Sequence, residues 1–179
     1  MEPIHIKELT DGEWEIFLAY FTQHLSENGS NGLLFQPLSL QQSSLNREIG
    51  EKFKAGFGKS YGEPGWRKIW IAKNEEGQVA DHIDIRSHSM LNTQHRVLLG
   101  MGVDSRFRKR GIGQRLLESV IAYCEMHPEI AWLDLEVLTS NLPALTLYRK
   151  MGFREVGTTK DKFRIEGKSY DYTSMTLSI

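Results

Sequence analysis

Between Leu98 and Phe153 the chain sets a short apolar run against a basic, glycine-bearing turn and then two helical repeats, an order that few folds accommodate. Leu98, Leu99, Met101 and Val103 predict a strand, and Arg106 to Arg110 make the turn. A helix is expected to open at Gly111-Ile112-Gly113, because Leu116, Leu117, Val120, Ile121 and Cys124 fall on one face at helical spacing. Trp132 to Leu138 predicts the next strand, and a second helix opens near Asn141, with Pro143 in its first turn, and closes at Gly152. Strand, turn, helix and strand together form a βαβ unit, with a right-handed crossover as the default. The turn is suited to anion capture. Unpartnered N–H groups at a helix start, the positive end of its dipole and the cationic side chains beside it all favour a phosphate there.

The dinucleotide fingerprint G-x-G-x-x-G does not fit, because the run Gly111-Ile112-Gly113-Gln114-Arg115-Leu116 lacks its third glycine. The stretch instead resembles the GNAT superfamily of acetyl-CoA-dependent N-acetyltransferases. That family's pyrophosphate loop, Arg/Gln-x-x-Gly-x-Gly/Ala, stands here as Arg108-Lys109-Arg110-Gly111-Ile112-Gly113. Its second signature stands as Asn141, Ala144, Leu147-Tyr148 and Gly152-Phe153. Leu135-Glu136-Val137 resembles the strand of the branch that acetylates ribosomal-protein N-termini.

The resemblance implies acetyl-CoA as cosubstrate, held by Arg108, Lys109, Arg110, Gly111, Ile112, Gly113 and Gln114. It also implies that the backbone of Met101 and Val103 pairs with the pantetheine arm where the family's central strands splay, with Gly102 allowing close approach. Asn141 would touch that arm or cap its helix. Glu136 is the candidate base, with Asp134 on the same strand face able to share or replace the role, and Tyr148 is the candidate acid for the leaving thiolate. Against these stand plainer readings: Glu136 as a solvent-facing strand carboxylate and Tyr148 as a core tyrosine.

At 179 residues the chain is long enough for one domain, residues 1–179, with a proper core. Apolar content of 40% and charged content of 25% are ordinary for a globule. A net charge of −1 supplies no general attraction to nucleic acid or an anionic membrane, and no run of about 20 apolar residues could span a bilayer. The lone cysteine, Cys124, sits on the apolar helix face, which suits a buried thiol and a cytoplasmic location.

Along the chain, Ile4 to Leu9 reads as an opening strand. Thr10 or Asp11 then caps a helix striped by Trp14, Phe17, Leu18, Phe21 and Leu25. Ser44 to Phe57 predicts a second helix carrying Leu45, Ile49, Phe53 and Phe57. Lys68 to Ala72 and Val79 to Arg86 predict a hairpin about Asn74-Glu75-Glu76-Gly77. Members of the resembled family commonly have glycine where Asp81 stands, which puts the packing there in question. Phe153 to Thr159 and Ser169 to Leu177 predict a closing hairpin. The expected fold is α/β, a mixed, mostly antiparallel central sheet with helices on both faces, in the order β-α-α-β-β-β-α-β-α-β-β, as in the resembled family.

Two further motifs are weaker. Gly58-Lys59-Ser60 looks like the tail of a phosphate loop, but Phe53 stands where its first glycine belongs, and Gly62, Pro64 and Gly65 forbid a following helix. His82, Asp84 and His88 lack the spacing of a closed ligand set and read as surface or cross-strand polar residues. The expected activity is direct acetyl transfer to a primary amine of a small molecule or a peptide. The alternative is a catalytically weak acyl-CoA-binding regulator. Neither nucleic acid nor membrane is expected as a partner, and a homodimer is one of the assemblies the sequence leaves open.

Overall fold

Period-two alternation of apolar residues makes the sheet here, and helical stripes supply what covers it. The computed structural model describes residues 3–30, 32–44 and 47–179. Strand β1 (Ile4–Glu8) is followed by a 3-10 turn (Asp11–Glu13) and helix α1 (Trp14–Ser26), then α2 (Arg47–Phe57). The strands β2 (Arg67–Asn74), β3 (Val79–Ser87) and β4 (Arg96–Val103) come next, and a 3-10 turn (Ser105–Phe107) leads to α3 (Ile112–Glu125). The chain closes with β5 (Trp132–Leu138), α4 (Leu142–Lys150), β6 (Arg154–Ile165) and β7 (Lys168–Ser178). All seven strands join one sheet in the order β1-β2-β3-β4-β5-β7-β6, and only β4 and β5 run parallel.

Each face of the sheet carries its own core. On one face Leu116, Leu117, Val120 and Cys124 of α3 and Leu145 and Tyr148 of α4 pack over Ile83, Ile85, Val97, Leu99, Leu133 and Leu135. On the other, Trp14, Phe17, Tyr20, Phe21 and Leu25 of α1 pack on Ile69, Ile71 and Val79, with Ile49, Phe53 and Phe57 of α2 at the margin. Fully burying one such aliphatic side chain is worth roughly 1.5–3 kcal/mol. Burial pushes the Cys124 thiol up to about 12, so it stays protonated and packs as a small apolar group.

Several boundaries differ from the sequence expectation. The start of α1 is a 3-10 turn in which Thr10 donates its N–H and hydroxyl to Glu13 Oε2, at 3.3 and 2.8 Å. Helix α2 begins at Arg47; Ser44 lies in a bend, and Leu45, expected on its stripe, is outside the described residues. The closing hairpin is longer than expected. Strand β6 continues past Thr159 to Ile165, interrupted by a register shift between Thr159 and Phe163 where Asp161 takes a φ of 48°. Its side chains are exposed almost throughout because it is the sheet edge, so no apolar alternation marks it. Lys160, Lys162 and Arg164 put charge on that edge, which discourages pairing with another chain. The turn is Glu166-Gly167, both at positive φ, the two-residue geometry that matches strand twist.

His82 and Asp84 are buried, with exposures of 4% and 2%, so the surface reading of these two is corrected. Asp84 pairs with Arg67 and Arg86, and His88 with Asp134. Among the described residues no cluster of three or more His, Cys, Asp and Glu groups is placed to hold a metal ion. The Tyr20 hydroxyl donates to the Gly102 carbonyl at 3.1 Å, and His82 Nδ1 lies 3.1 Å from the same oxygen, to which it can donate. A Cβ on Gly102 would stand 2.5 Å from both His24 Nε2 and His82 Cε1. That glycine therefore makes room for two imidazoles on the α1 face. Asp81 is fully buried, and its Oδ1 accepts the Asp104 N–H at 2.8 Å, closing the end of β4.

These buried groups set an acid limb. Burial, and then the charge of Arg108, lowers the His24 pKa to about 4, and burial holds His82 well below its ordinary value. Their stabilising contribution is complete above pH 6.5 and is lost as pH falls toward 4. Burial raises Asp81 to about 7, so its contribution runs the other way, lost as pH rises from about 4 to 7. Two imidazoles outweigh one carboxyl, and the protein is expected to lose stability on acidification. Between pH 7 and 4.5, His24→Gln should lose about 2 kcal/mol less than the wild type in urea titrations, from a shift of some two pKa units. Equal losses would remove this imidazole from the balance.

Candidate active site

The parallel strands β4 and β5 are bonded at only three positions, Arg96↔Trp132, Val97↔Leu133 and Leu98↔Asp134. Beyond them β4 runs on to Val103 paired with β3 alone, and β5 to Leu138 paired with β7 alone. A wedge opens between them, lined on one side by the backbone of Leu99 to Val103, including Met101. A parallel ladder that stops while both strands continue leaves N–H and C=O groups without partners in the sheet.

Helix α3 begins at the mouth of this wedge. Lys109 and Gly111 take left-handed φ values of 61° and 77°, and nothing lies within 4 Å of where a Cβ on Gly111 would stand. No side chain caps the helix, and its ladder starts with the Arg115 N–H donating to Gly111. The N–H groups of Ile112, Gly113 and Gln114 therefore precede that ladder at the positive end of the dipole. Lys109 and Arg110 are exposed, while Arg108 is half-buried and reaches back to the Val103 carbonyl at 3.3 Å. Arg106 is held apart by Asp104.

Two residues of this loop carry structural work as well. A Cβ on Gly113 would meet Leu147 of α4 at 3.2 Å, so this glycine lets the two helices approach. The Gln114 side chain donates to Glu118 and accepts from Lys150, leaving its backbone N–H as the group available to a ligand. Asn141 caps α4, its Oδ1 accepting the Ala144 N–H at 3.3 Å.

Glu136 and Tyr148 lie on opposite faces of the sheet. Glu136 lies one step past the last β4–β5 pair on the α1 face, exposed, and makes no hydrogen bond among the described residues. Asp134 shares that face but is occupied: Arg96 donates to both its oxygens at 2.7 and 2.6 Å, Thr176 at 2.6 Å, and His88 Nε2 lies at 3.1 Å. Burial would raise its pKa, and the hydrogen bonds from Arg96 and Thr176 outweigh that and hold it below the usual carboxylate range. Of the two carboxylates, only Glu136 has free oxygens.

Tyr148 is 7% exposed, tilted against Phe153, and its hydroxyl has no hydrogen-bond partner among the described residues. Burial, with a smaller effect from Tyr172, raises its pKa above the ordinary phenol value, so it stays a donor at neutral pH. Tyr172 of β7 feels the Glu136 charge and in turn acts on Tyr148, and burial ahead of Glu136 raises it to about 12. Spacing in the sequence marks Tyr172 only as a strand residue; its place between the two candidates comes from the β5–β7 pairing. The Gly58-Lys59-Ser60 loop is closed on itself, with Lys59 donating to the Pro64 carbonyl and the Ser60 N–H to Glu63.

A cavity of about 560 Å³ adjoins the wedge on the α1 face, lined in part by Arg86, His88, Asp134 and Glu136. A smaller one of about 250 Å³ lies between that face and the helices α1 and α2, and Arg86 lines both.

The chain is similar to known proteins. The chain is 30% identical over 95 residues to the L-amino acid N-acetyltransferase AaaT of Escherichia coli (strain K12), covering 53% of this chain and 58% of that protein. It is 39% identical over 67 residues to the N-alpha-acetyltransferase RimI of Mycobacterium tuberculosis, covering 37% and 40%. The chain thus spans about half the length of the curated relatives it matches. An acetyltransferase of the GNAT family from Streptococcus pneumoniae superposes with a TM-score of 0.80 over 99% of this chain and 100% of that one, at 23% identity, a likeness of fold. A family model described as an acetyltransferase (GNAT) domain matches residues 65–155, just over half of the chain, and the protein belongs to that family.

Proposed function

We propose that residues 1–179 act as one N-acetyltransferase unit that moves an acetyl group from acetyl-CoA directly to a primary amine, with no acyl-enzyme. The observation that carries this reading is the wedge itself. It has an uncapped helix start at its mouth, and Glu136 stands just past its last strand pair with a free carboxylate.

The residues present fit acetyl-CoA. The N–H groups of Ile112, Gly113 and Gln114, with Arg108, Lys109 and Arg110 around them, would hold its diphosphate, and the open space at Gly111 leaves the approach clear. The unpaired β4 backbone at Met101 and Val103 would bond its pantetheine amides, in the manner of an added strand. Asn141 acts through its cap, fixing where α4 and hence Tyr148 begin. The acceptor must be neutral to attack, and for a lysine-like amine at pH 7 that costs roughly 4–5 kcal/mol. Glu136 would take the proton, directly or through water, and Tyr148 would donate to the departing thiolate. The reaction is placed in the cytoplasm, which a lone buried thiol suits, on a small-molecule or peptide amine, with neither nucleic acid nor membrane as partner. A homodimer is compatible with this scheme.

Three variants test it. Gly111→Glu forces a side chain into left-handed backbone and sets a negative charge beside the anion site. It should weaken acetyl-CoA binding at least tenfold by calorimetry, and an unchanged Kd would separate this loop from the cosubstrate. Tyr148→Phe should lower kcat by about 100-fold, the lower range for a general acid, with acetyl-CoA affinity nearly kept. Unaltered turnover would remove the phenol from the chemistry. Glu136→Gln should lower kcat by a similar factor. If it retains full turnover, a chain of waters suffices as base. Binding of acetyl-CoA with no turnover on any amine would favour the regulatory module.

A further inference from the structure

The smaller cavity is built around an imbalance of charge. At its floor Asp84 Oδ2 accepts from Nη1 of Arg67 at 2.5 Å and from Nη1 of Arg86 at 3.0 Å, so one carboxylate serves two guanidiniums. Gly100 makes space for this group, since a Cβ there would stand 2.6 Å from Asp84 Oδ1 and 2.9 Å from Arg86 Nη1. The other ionisable groups described in the lining, His24 and His82, are kept neutral by burial. The described lining therefore carries a net single positive charge.

A guanidinium offers five donors, and each of these two arginines makes one hydrogen bond among the described residues. Arg67 is nearly enclosed, with its side chain 13% exposed and its guanidinium 3.6 Å from the Phe53 ring centroid. With one carboxylate between them, the two guanidiniums keep a surplus positive charge and unused donors that a second anion could meet. The walls around the cationic floor are apolar: Phe21, Leu25, Leu38, Ile49 and Phe53.

Arg86 also faces the wedge. It pairs with Leu98, which pairs with Asp134, so it stands two strands from β5, roughly 10 Å by strand spacing, on the face that carries Glu136. An anion on Arg86 and an amine beside the wedge are then within the span of one small molecule. A volume near 250 Å³ falls below that of drug-sized sites and leaves little room for a folded-back polypeptide.

We propose that the acceptor is a small α-amino acid with an apolar side chain, whose carboxylate is received by Arg86 with Arg67 behind it. This rests on the acetyl-transfer reading above and narrows it. Arg86 is a specificity residue: it fixes the acid end, the apolar walls take the side chain, and the amine is left toward Glu136. A polycationic acceptor is disfavoured by the same charge.

The test compares acids with their amides. N-acetyl-L-leucine, N-acetyl-L-phenylalanine and N-acetyl-L-valine, and the three matching carboxamides, are titrated by calorimetry into the full chain, with and without saturating CoA. At least one acid should bind ten or more times tighter than its amide. Arg86→Gln should erase that difference while CoA affinity stays within twofold, and Arg86→Lys should keep part of it. The proposal is overturned if amides bind as well as acids, if none of the six binds, or if the advantage of the acid survives Arg86→Gln. Failure of CoA to bind would defeat the acetyl-transfer reading instead, and the titrations without CoA still decide the acid against the amide.

Discussion

A parallel strand pair that holds for three residues and then parts creates an obligation. Backbone donors and acceptors at Leu99 to Val103 on β4 that face away from β3 must find partners outside the ladder, as the Gly102 and Val103 carbonyls do in Tyr20 and Arg108, or in water or a ligand. The rest of the molecule keeps that opening in place. On its outer side β4 is clamped to β3 through seven paired positions, from Asp81↔Val103 to Ser87↔Val97. On the other side β7 inserts between β5 and β6 and fixes β5 along its whole length. Both strands that border the wedge are thus held along their far sides by antiparallel ladders.

Glycines govern how the two faces use the wedge, and each does so for a different reason. Gly100 and Gly102 remove side chains from the α1 face, the first for the Asp84–Arg86 pair and the second for His24 and His82. Gly113 does the same on the other face for Leu147, bringing α3 against α4. Gly111 is the one whose backbone angle, and not its bulk, is required. Polar groups buried behind β4 complete the scaffold. The Tyr20 hydroxyl and the Asp81 carboxylate each bind the backbone of the strand's end, at Gly102 and Asp104. Asp81, where the resemblance leads one to expect glycine, has a bonding role instead.

What could be read from the chain was what spacing encodes. The α3 stripe, the glycine turn before it, and Asn141 and Tyr148 two turns apart are all local periodicities, and each stands where its spacing predicts. Residues defined by neighbours across the sheet escaped notice. Arg67 and Arg86 lie 19 positions apart in sequence and meet only because β2 and β3 pair them directly. Tyr172 gains its place from β7 lying beside β5. The full extent of β6 was hidden for another reason: an edge strand has no buried face, so its polar run looks like a loop. Asp134 looks as free as Glu136 in the sequence because a carboxylate's freedom depends on partners, and Arg96 and Thr176 come from two other strands.

The division of labour between the two sheet faces follows from charge. The face that would meet the diphosphate carries exposed cations at the helix start, where water and ligand exchange freely and the field acts at a distance. The α1 face sets two guanidiniums on one carboxylate beneath apolar walls, where the surplus positive charge would act strongly on a single anion. Glu136, which makes no hydrogen bond among the described residues, is exposed to solvent, so under the proposed reaction a proton taken from an amine would have a route out that passes through neither of the proposed binding sites.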